Sequence, residues 1–153
     1  MLIGVIGGNE AEADVLAVAY EIGRAIGSRG HVLVCGGRGG VMREACRGAK
    51  EAGGLTVGIL PGEDLADANE FLDVPVVTGM GPGRNIVVAR TANALIAIGG
   101  AYGTLSEIAF GLMLGRPVVG LGTWELRSGL GREPPIVRVG NAEEAVRACE
   151  AAV

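Results

Sequence analysis

Three apolar runs in this chain stop abruptly on a glycine pair: VIGGNE at Val5 to Glu10, VCGGRGG at Val34 to Gly40 and AIGGAYGTLSE at Ala97 to Glu107. Each run has the length of a strand, and a segment long enough for a helix follows each pair. Glycine lets the backbone turn tightly and approach a ligand with no Cβ in the way. A helix that starts there offers free N–H groups and the positive end of its dipole, a natural seat for an anion. Three such turns on one sheet edge would converge on a single phosphate-bearing molecule.

Apolar runs of strand length occur at Leu2 to Ile6, Val32 to Cys35, Leu55 to Leu60, Val74 to Thr78, Leu95 to Ile98, Val118 to Leu121 and Ile136 to Val139. They are nearly continuous instead of alternating, the pattern of strands covered on both faces, which predicts a parallel sheet. Helix-length segments lie between most of them, at Glu10 to Ser28, Val41 to Ala52, Arg84 to Ala92 and Thr104 to Leu114, with Ala142 to Ala151 at the end. The alternation predicts an α/β chain: one Rossmann-like, doubly wound domain over residues 1–153, with a mostly parallel sheet of six or seven strands. The acidic stretch Pro61 to Asp73 is read as a loop that carries the chain across the sheet, giving the order 3-2-1-4-5-6(-7). Ligands in such sheets bind at the carboxyl ends of the strands, where the order reverses.

With 153 residues and 49% hydrophobic content, the chain suits one continuous core. A net charge of −4 and an aromatic content of 3% argue against nucleic acid as a partner, because phosphate backbones need positive charge and single strands need stacking platforms. The longest uncharged stretch, between Arg90 and Glu107, is too short and too polar to span a membrane. The N-terminal MLIGVIGG reads as a strand without a leader, so the expected location is the cytoplasm. Cys35, Cys46 and Cys149 are far apart and odd in number, which suggests neither a disulfide framework nor a zinc site. Glu63, Asp64 and Asp67 do not have the spacing of a cation cage, so no metal site is assigned.

The turns themselves supply the candidate ligand contacts: Gly7 and Gly8; Gly36, Gly37, Gly39 and Gly40; and Gly99, Gly100, Gly103 and Thr104. GGRGGVM lacks the full dinucleotide fingerprint, and the chain has no Walker-type lysine motif. Arg84 and Asn85 follow Pro82-Gly83 at an expected helix start, where an arginine suits phosphate or carboxylate. Thr104 and Glu107 have the T-x-x-E spacing of a capping box, which would make Glu107 structural. The same carboxylate beside a crevice also suits bonding to a ribose hydroxyl or acid–base work, and the two roles can coexist. His31 falls at a strand entrance, away from the crevice. Lys50 lies inside a helix away from the turns, where a Schiff-base lysine is not expected.

Taken together, GRGGVMREACRGAKEAGGLTVGILPG, GPGRNIVVARTANALIAIGG and GGAYGTLSEIAFGLMLGRPVV resemble the superfamily of LONELY GUY phosphoribohydrolases and molybdenum-cofactor carrier proteins. Its members often carry a "lysine decarboxylase" label, which Lys50 does not support. The phosphoribohydrolase motif P-G-G-x-G-T-x-x-E is matched by Gly99, Gly100, Gly103, Thr104 and Glu107, and Arg84 matches the family arginine. The resemblance implies phosphate binding by the glycines and threonine, with Arg84 and Glu107 catalytic if the protein is an enzyme. Ile98 replaces the motif proline, Asn85 a lysine and Asn93 an aspartate, and these departures look more like the carrier branch. That branch implies a binding module without a required cofactor, whose ligand is a nucleotide or the molybdenum cofactor, a phosphorylated pterin. The alternative is hydrolysis of nucleoside 5'-monophosphates to free base and ribose 5-phosphate. The resemblance further implies a homodimer or homotetramer, and the apolar helix SEIAFGLMLGR is consistent with association.

Overall fold

The computed structural model describes all residues from Met1 to Val153. In chain order the elements are β1 (Leu2–Gly7), α1 (Ala13–Ser28), β2 (Val32–Cys35), α2 (Gly40–Glu51), β3 (Leu55–Leu60), β4 (Val74–Val77), a 3-10 turn (Gly81–Gly83), α3 (Arg84–Thr91), β5 (Ala94–Ile98), α4 (Tyr102–Met113), β6 (Val118–Leu121), β7 (Ile136–Arg138) and α5 (Ala142–Ala152). The seven strands form one sheet in the order β4-β3-β2-β1-β5-β6-β7, and every pairing is parallel. The doubly wound Rossmann-like α/β domain is thus as the apolar runs predict.

Those runs are continuous because side chains leave the central strands into apolar layers on both sides. Ile3 and Val5 of β1, Leu33 and Cys35 of β2 and Ile96 of β5 pack with α1, α2 and α5. Ile6, Val34, Leu95 and Ala97 point the other way, toward Val88 and Ala89 of α3 and Ile108 of α4. On the first face α1 and α2 touch backbone to backbone. A Cβ built on Gly23 would lie 1.9 Å from the Ala45 carbonyl oxygen, and one on Gly48 would lie 2.0 Å from that of Tyr20.

The lane of the fourth strand differs from the expected 3-2-1-4-5-6(-7) order. Val74–Val77 pairs with β3 at the outer edge, and Ala94–Ile98 takes the lane beside β1. The Pro61 to Asp73 segment does not cross the sheet, because its own hydrogen bonds fold it back on β3. The Asp73 carboxylate accepts from the Thr56 N–H at 2.9 Å, and the Thr56 hydroxyl donates to the Phe71 carbonyl at 2.6 Å. Lys50 adds an ion pair with Asp73 here, on the far side of α2 from the turns. The crossing is made instead by α3. Strands β1 to β4 run outward one way and β5 to β7 the other, so the reversal still falls beside β1, between β1 and β5.

Candidate functional site

At that reversal a cleft of about 220 Å³ opens, lined by Gly7, Gly8, Asn9, Arg38, Met42, Arg84, Asn85, Ala101, Gly103, Thr104 and Glu107. A second, shallower space of about 550 Å³ adjoins it through Gly8, Asn9 and Ala101 and includes Gly99 and Gly100. Gly36, Gly37, Gly39 and Gly40 line neither, and packing accounts for three of them. Gly36 leaves room for Arg84, since a Cβ there would stand 2.6 Å from Arg84 Nη1. Gly37 (φ 76°) and Gly40 (φ 57°) adopt left-handed backbone, and a Cβ on Gly40 would strike the Gly8 carbonyl at 2.3 Å.

The two helix starts beside the cleft are not equivalent. At α2, the first turn is already engaged by the β1 loop: the Gly39 N–H donates to Asn9 Oδ1 at 2.8 Å and the Val41 N–H to the Gly8 carbonyl at 3.0 Å. At α4, no protein group accepts from the N–H of Gly103 or Thr104, as expected of residues in a first helical turn without a side-chain cap. The capping box predicted from T-x-x-E does not form. The helix begins three residues earlier than that spacing implies, with Ala101 as the cap in place of Thr104, so Thr104 lies within the first turn and its side chain tucks against Gly100. Glu107 is thereby turned into the cleft.

Four buried polar residues meet there. Arg84, Asn85, Thr104 and Glu107 are each at most 8% exposed. Arg84 Nη1 donates to the Ile59 carbonyl at 2.5 Å and to the Gly36 carbonyl, and its Nε donates to Asn85 Oδ1 at 2.9 Å. The Asn85 amide donates in turn to Ser106 Oγ at 2.9 Å, which donates to the Gly103 carbonyl at 2.6 Å. Asn85 therefore ties the start of α3 to the start of α4. Arg84 Nη2, the Thr104 hydroxyl and the Glu107 carboxylate bond to no protein group. None of the three is sealed inside the protein; each belongs to a residue that lines the open cleft.

Burial raises the Glu107 carboxyl to about 7, against the pull of the nearby Arg84 guanidinium. Burial also lowers Arg84 from its usual range, with Glu107 acting in the opposite sense. The sign for stability follows from the raised value. A free glutamate ionises near 4.5. Between that value and about 7 the folded chain holds more protons than the unfolded one, so stability falls as pH rises through this window and levels off above it. Glu107→Gln is expected to unfold at higher urea than the wild type at about pH 8, by on the order of 2 kcal/mol, and to match it near pH 4.5. A variant whose unfolding midpoint relative to wild type does not change with pH would contradict this.

Asn93 and His31 lie away from the cleft. Asn93 accepts the Leu2 N–H at 2.7 Å at the opposite end of the sheet. His31 pairs with Glu150 at 2.8 Å, also away from the cleft. Trp124 donates to the Ala101 carbonyl at 3.2 Å and its ring lies 6.0 Å from that of Tyr102, so it buttresses the start of α4. Sequence reasoning assigned no role to Asn9, Arg38, Met42 or Ala101. Asn9 and Arg38 carry a signal in retrospect, as polar residues set directly within the glycine turns.

A parallel sheet with an open helix start, an arginine and a carboxyl gathered at its switch point defines a Rossmann-like protein with a polar cleft at the strand ends. The chain belongs to the SLOG cluster4 family, whose model matches residues 1–147. It is 43% identical over 97% of its length to an uncharacterized protein of Archaeoglobus fulgidus, 94% of which is covered. It is 31% identical over 90% of its length to the cytokinin riboside 5'-monophosphate phosphoribohydrolase of Mycobacterium tuberculosis, covering 86% of that enzyme. The molybdenum cofactor binding protein of Rippkaea orientalis superposes with a TM-score of 0.89 at 34% identity, over 98% of this chain and 95% of that one. The resemblance read from the motifs, to the superfamily of LONELY GUY and molybdenum-cofactor carrier proteins, is borne out. No helix is long and apolar enough to cross a membrane.

Proposed function

We propose that the cleft binds a small phosphorylated heterocycle, a nucleotide or a molybdopterin-type pterin phosphate, and that the protein acts as a carrier of it. The observation that carries this reading is the pair of unengaged N–H groups at Gly103 and Thr104, which lie in the same cleft as the free Nη2 of Arg84. A phosphoryl group seated there receives backbone hydrogen bonds, the helix dipole and a charge-assisted bond from arginine. The likeness to the Rippkaea orientalis protein supports a pterin phosphate as the guest. Gly99 and Gly100, in the adjoining space, would lie beside the heterocycle.

A second reading is favoured by Glu107. A carboxyl buried beside the phosphate seat and held near neutrality is poised to bond a ribose hydroxyl or to move a proton to or from attacking water, with Arg84 offsetting developing negative charge. That is the chemistry of a phosphoribohydrolase acting on a nucleoside 5'-monophosphate, the activity that names the Mycobacterium tuberculosis relative.

Incubation with a panel of nucleoside 5'-monophosphates separates the two. The carrier reading expects ligand retained without turnover. Release of free base that disappears in Glu107→Ala, with the fold kept, would replace it with the hydrolase. The same reading takes the protein to be a cytoplasmic homodimer or homotetramer, supported by the free cysteines and by apolar side chains left exposed at Tyr102, Met113, Val74 and Val77. Light scattering in solution reads the subunit number directly.

A further inference from the structure

Arg38 sits between the two glycine pairs of the β2 turn and lines the cleft together with Arg84. Its backbone is fixed on both sides. The Arg38 carbonyl accepts from the Asn69 amide at 3.0 Å, and the next N–H, that of Gly39, is held by Asn9 at 2.8 Å. Asn69 is itself 8% exposed and also donates to the Gly37 carbonyl at 3.3 Å, so the acidic β3–β4 segment clamps the turn that presents Arg38. The guanidinium is less well served. Arg38 Nε is fully covered and donates to nothing. Its nearest carboxylate oxygen, on Asp67, stands 3.9 Å away, outside hydrogen-bond range.

The charges around the cleft do not balance. Its lining contains two guanidinium groups, Arg38 and Arg84, and one carboxyl, Glu107. The two arginines repel each other enough that Arg38 helps to lower Arg84. Glu107, held near neutrality, and Asp67, 3.9 Å from Arg38 Nε, offset the two guanidinium groups only in part, which leaves a net positive excess facing the seat. A singly charged guest offsets that excess less fully than a terminal phosphate, which, with a second ionisation near pH 6, supplies between one and a half and two negative charges at neutral pH.

We propose that Arg38 is a specificity-determining residue of this cleft, a second cation that selects a doubly ionised phosphomonoester over a singly charged phosphodiester. The inference rests on the reading of the cleft as a phosphate seat and adds which ionisation state it accepts and which side chain reads it. Arg84, locked to two carbonyls, supplies the fixed contact. Arg38, anchored by its backbone and with no hydrogen bond to its guanidinium, supplies the contact that a second phosphate charge satisfies.

The test uses the whole protein with phenyl phosphate and its methyl diester as probes, titrated by NMR at about pH 8. The wild type is expected to bind the monoester roughly tenfold tighter than the diester, and the preference to shrink near pH 5, where the monoester carries one charge. In Arg38→Gln the monoester weakens about tenfold and the diester less than twofold, while Arg38→Lys keeps most of the preference. Unfolding midpoints of both variants stay at the wild-type value. An Arg38→Gln protein with the wild-type preference, or equal weakening for both probes, would overturn the role of Arg38 while leaving the phosphate seat intact. Failure of the monoester to bind the wild type would remove the seat itself and the proposal with it.

Discussion

Gly103→Leu is expected to abolish binding of nucleoside monophosphates and pterin phosphates while leaving the protein folded. A Cβ at Gly103 meets nothing closer than Asn85 Nδ2 at 3.8 Å, and the residue's φ is not positive, so the backbone accepts a side chain without strain. Leucine is also the better helix former, so the unfolding midpoint should hold or rise. Its side chain enters a cleft of only about 220 Å³ and covers the N–H groups that would meet the phosphate. A loss of at least ~100-fold in calorimetric affinity is expected, equivalent to about 3 kcal/mol. Unchanged affinity in the folded variant would move the ligand away from α4.

The second large effect falls on the fold. Gly23→Val is expected to destabilise the protein by more than ~3 kcal/mol, because the new side chain must enter the backbone of α2. At 1.9 Å from the Ala45 carbonyl oxygen, its Cβ cannot be accommodated by a side chain moving aside. The helices would have to separate, and α2 would carry away the turn that presents Gly36 to Arg84. Gly30→Ala gives the contrast. Gly30 has φ 72° but open space around it, so its cost is conformational and on the order of 1 kcal/mol. Urea unfolding of the two variants side by side would show the difference, and equal midpoints would refute the account of the α1–α2 contact.

The parallel sheet was readable because β1, β2 and β5 bury both faces and so carry no polar alternation. The switch-point cleft was readable because Gly7-Gly8 and Gly99-Gly100 break those strands at the same edge. The lane of β4 was not, since composition does not reveal that Thr56 and Asp73 bond each other and fold the acidic segment back. Glycine number also misled at the β2 turn. Gly36 and Gly40 answer to Arg84 and to the β1 loop, contacts between segments distant in sequence. The T-x-x-E spacing pointed to a cap, but Trp124 reaches back to the Ala101 carbonyl at the helix start. With the helix beginning at Tyr102, the glutamate faces the cleft instead of the backbone.

In the carrier reading the amino end of α4, and not that of α2, receives the phosphate. Amide chemical shifts of ¹⁵N-labelled protein titrated with phenyl phosphate read this directly. The expected result is that Gly103 and Thr104 move most and saturate together, with the Arg84 side chain following and Val41 nearly still. Shifts centred on Gly39 to Val41, or absent from Gly103 and Thr104 at saturation, would contradict it.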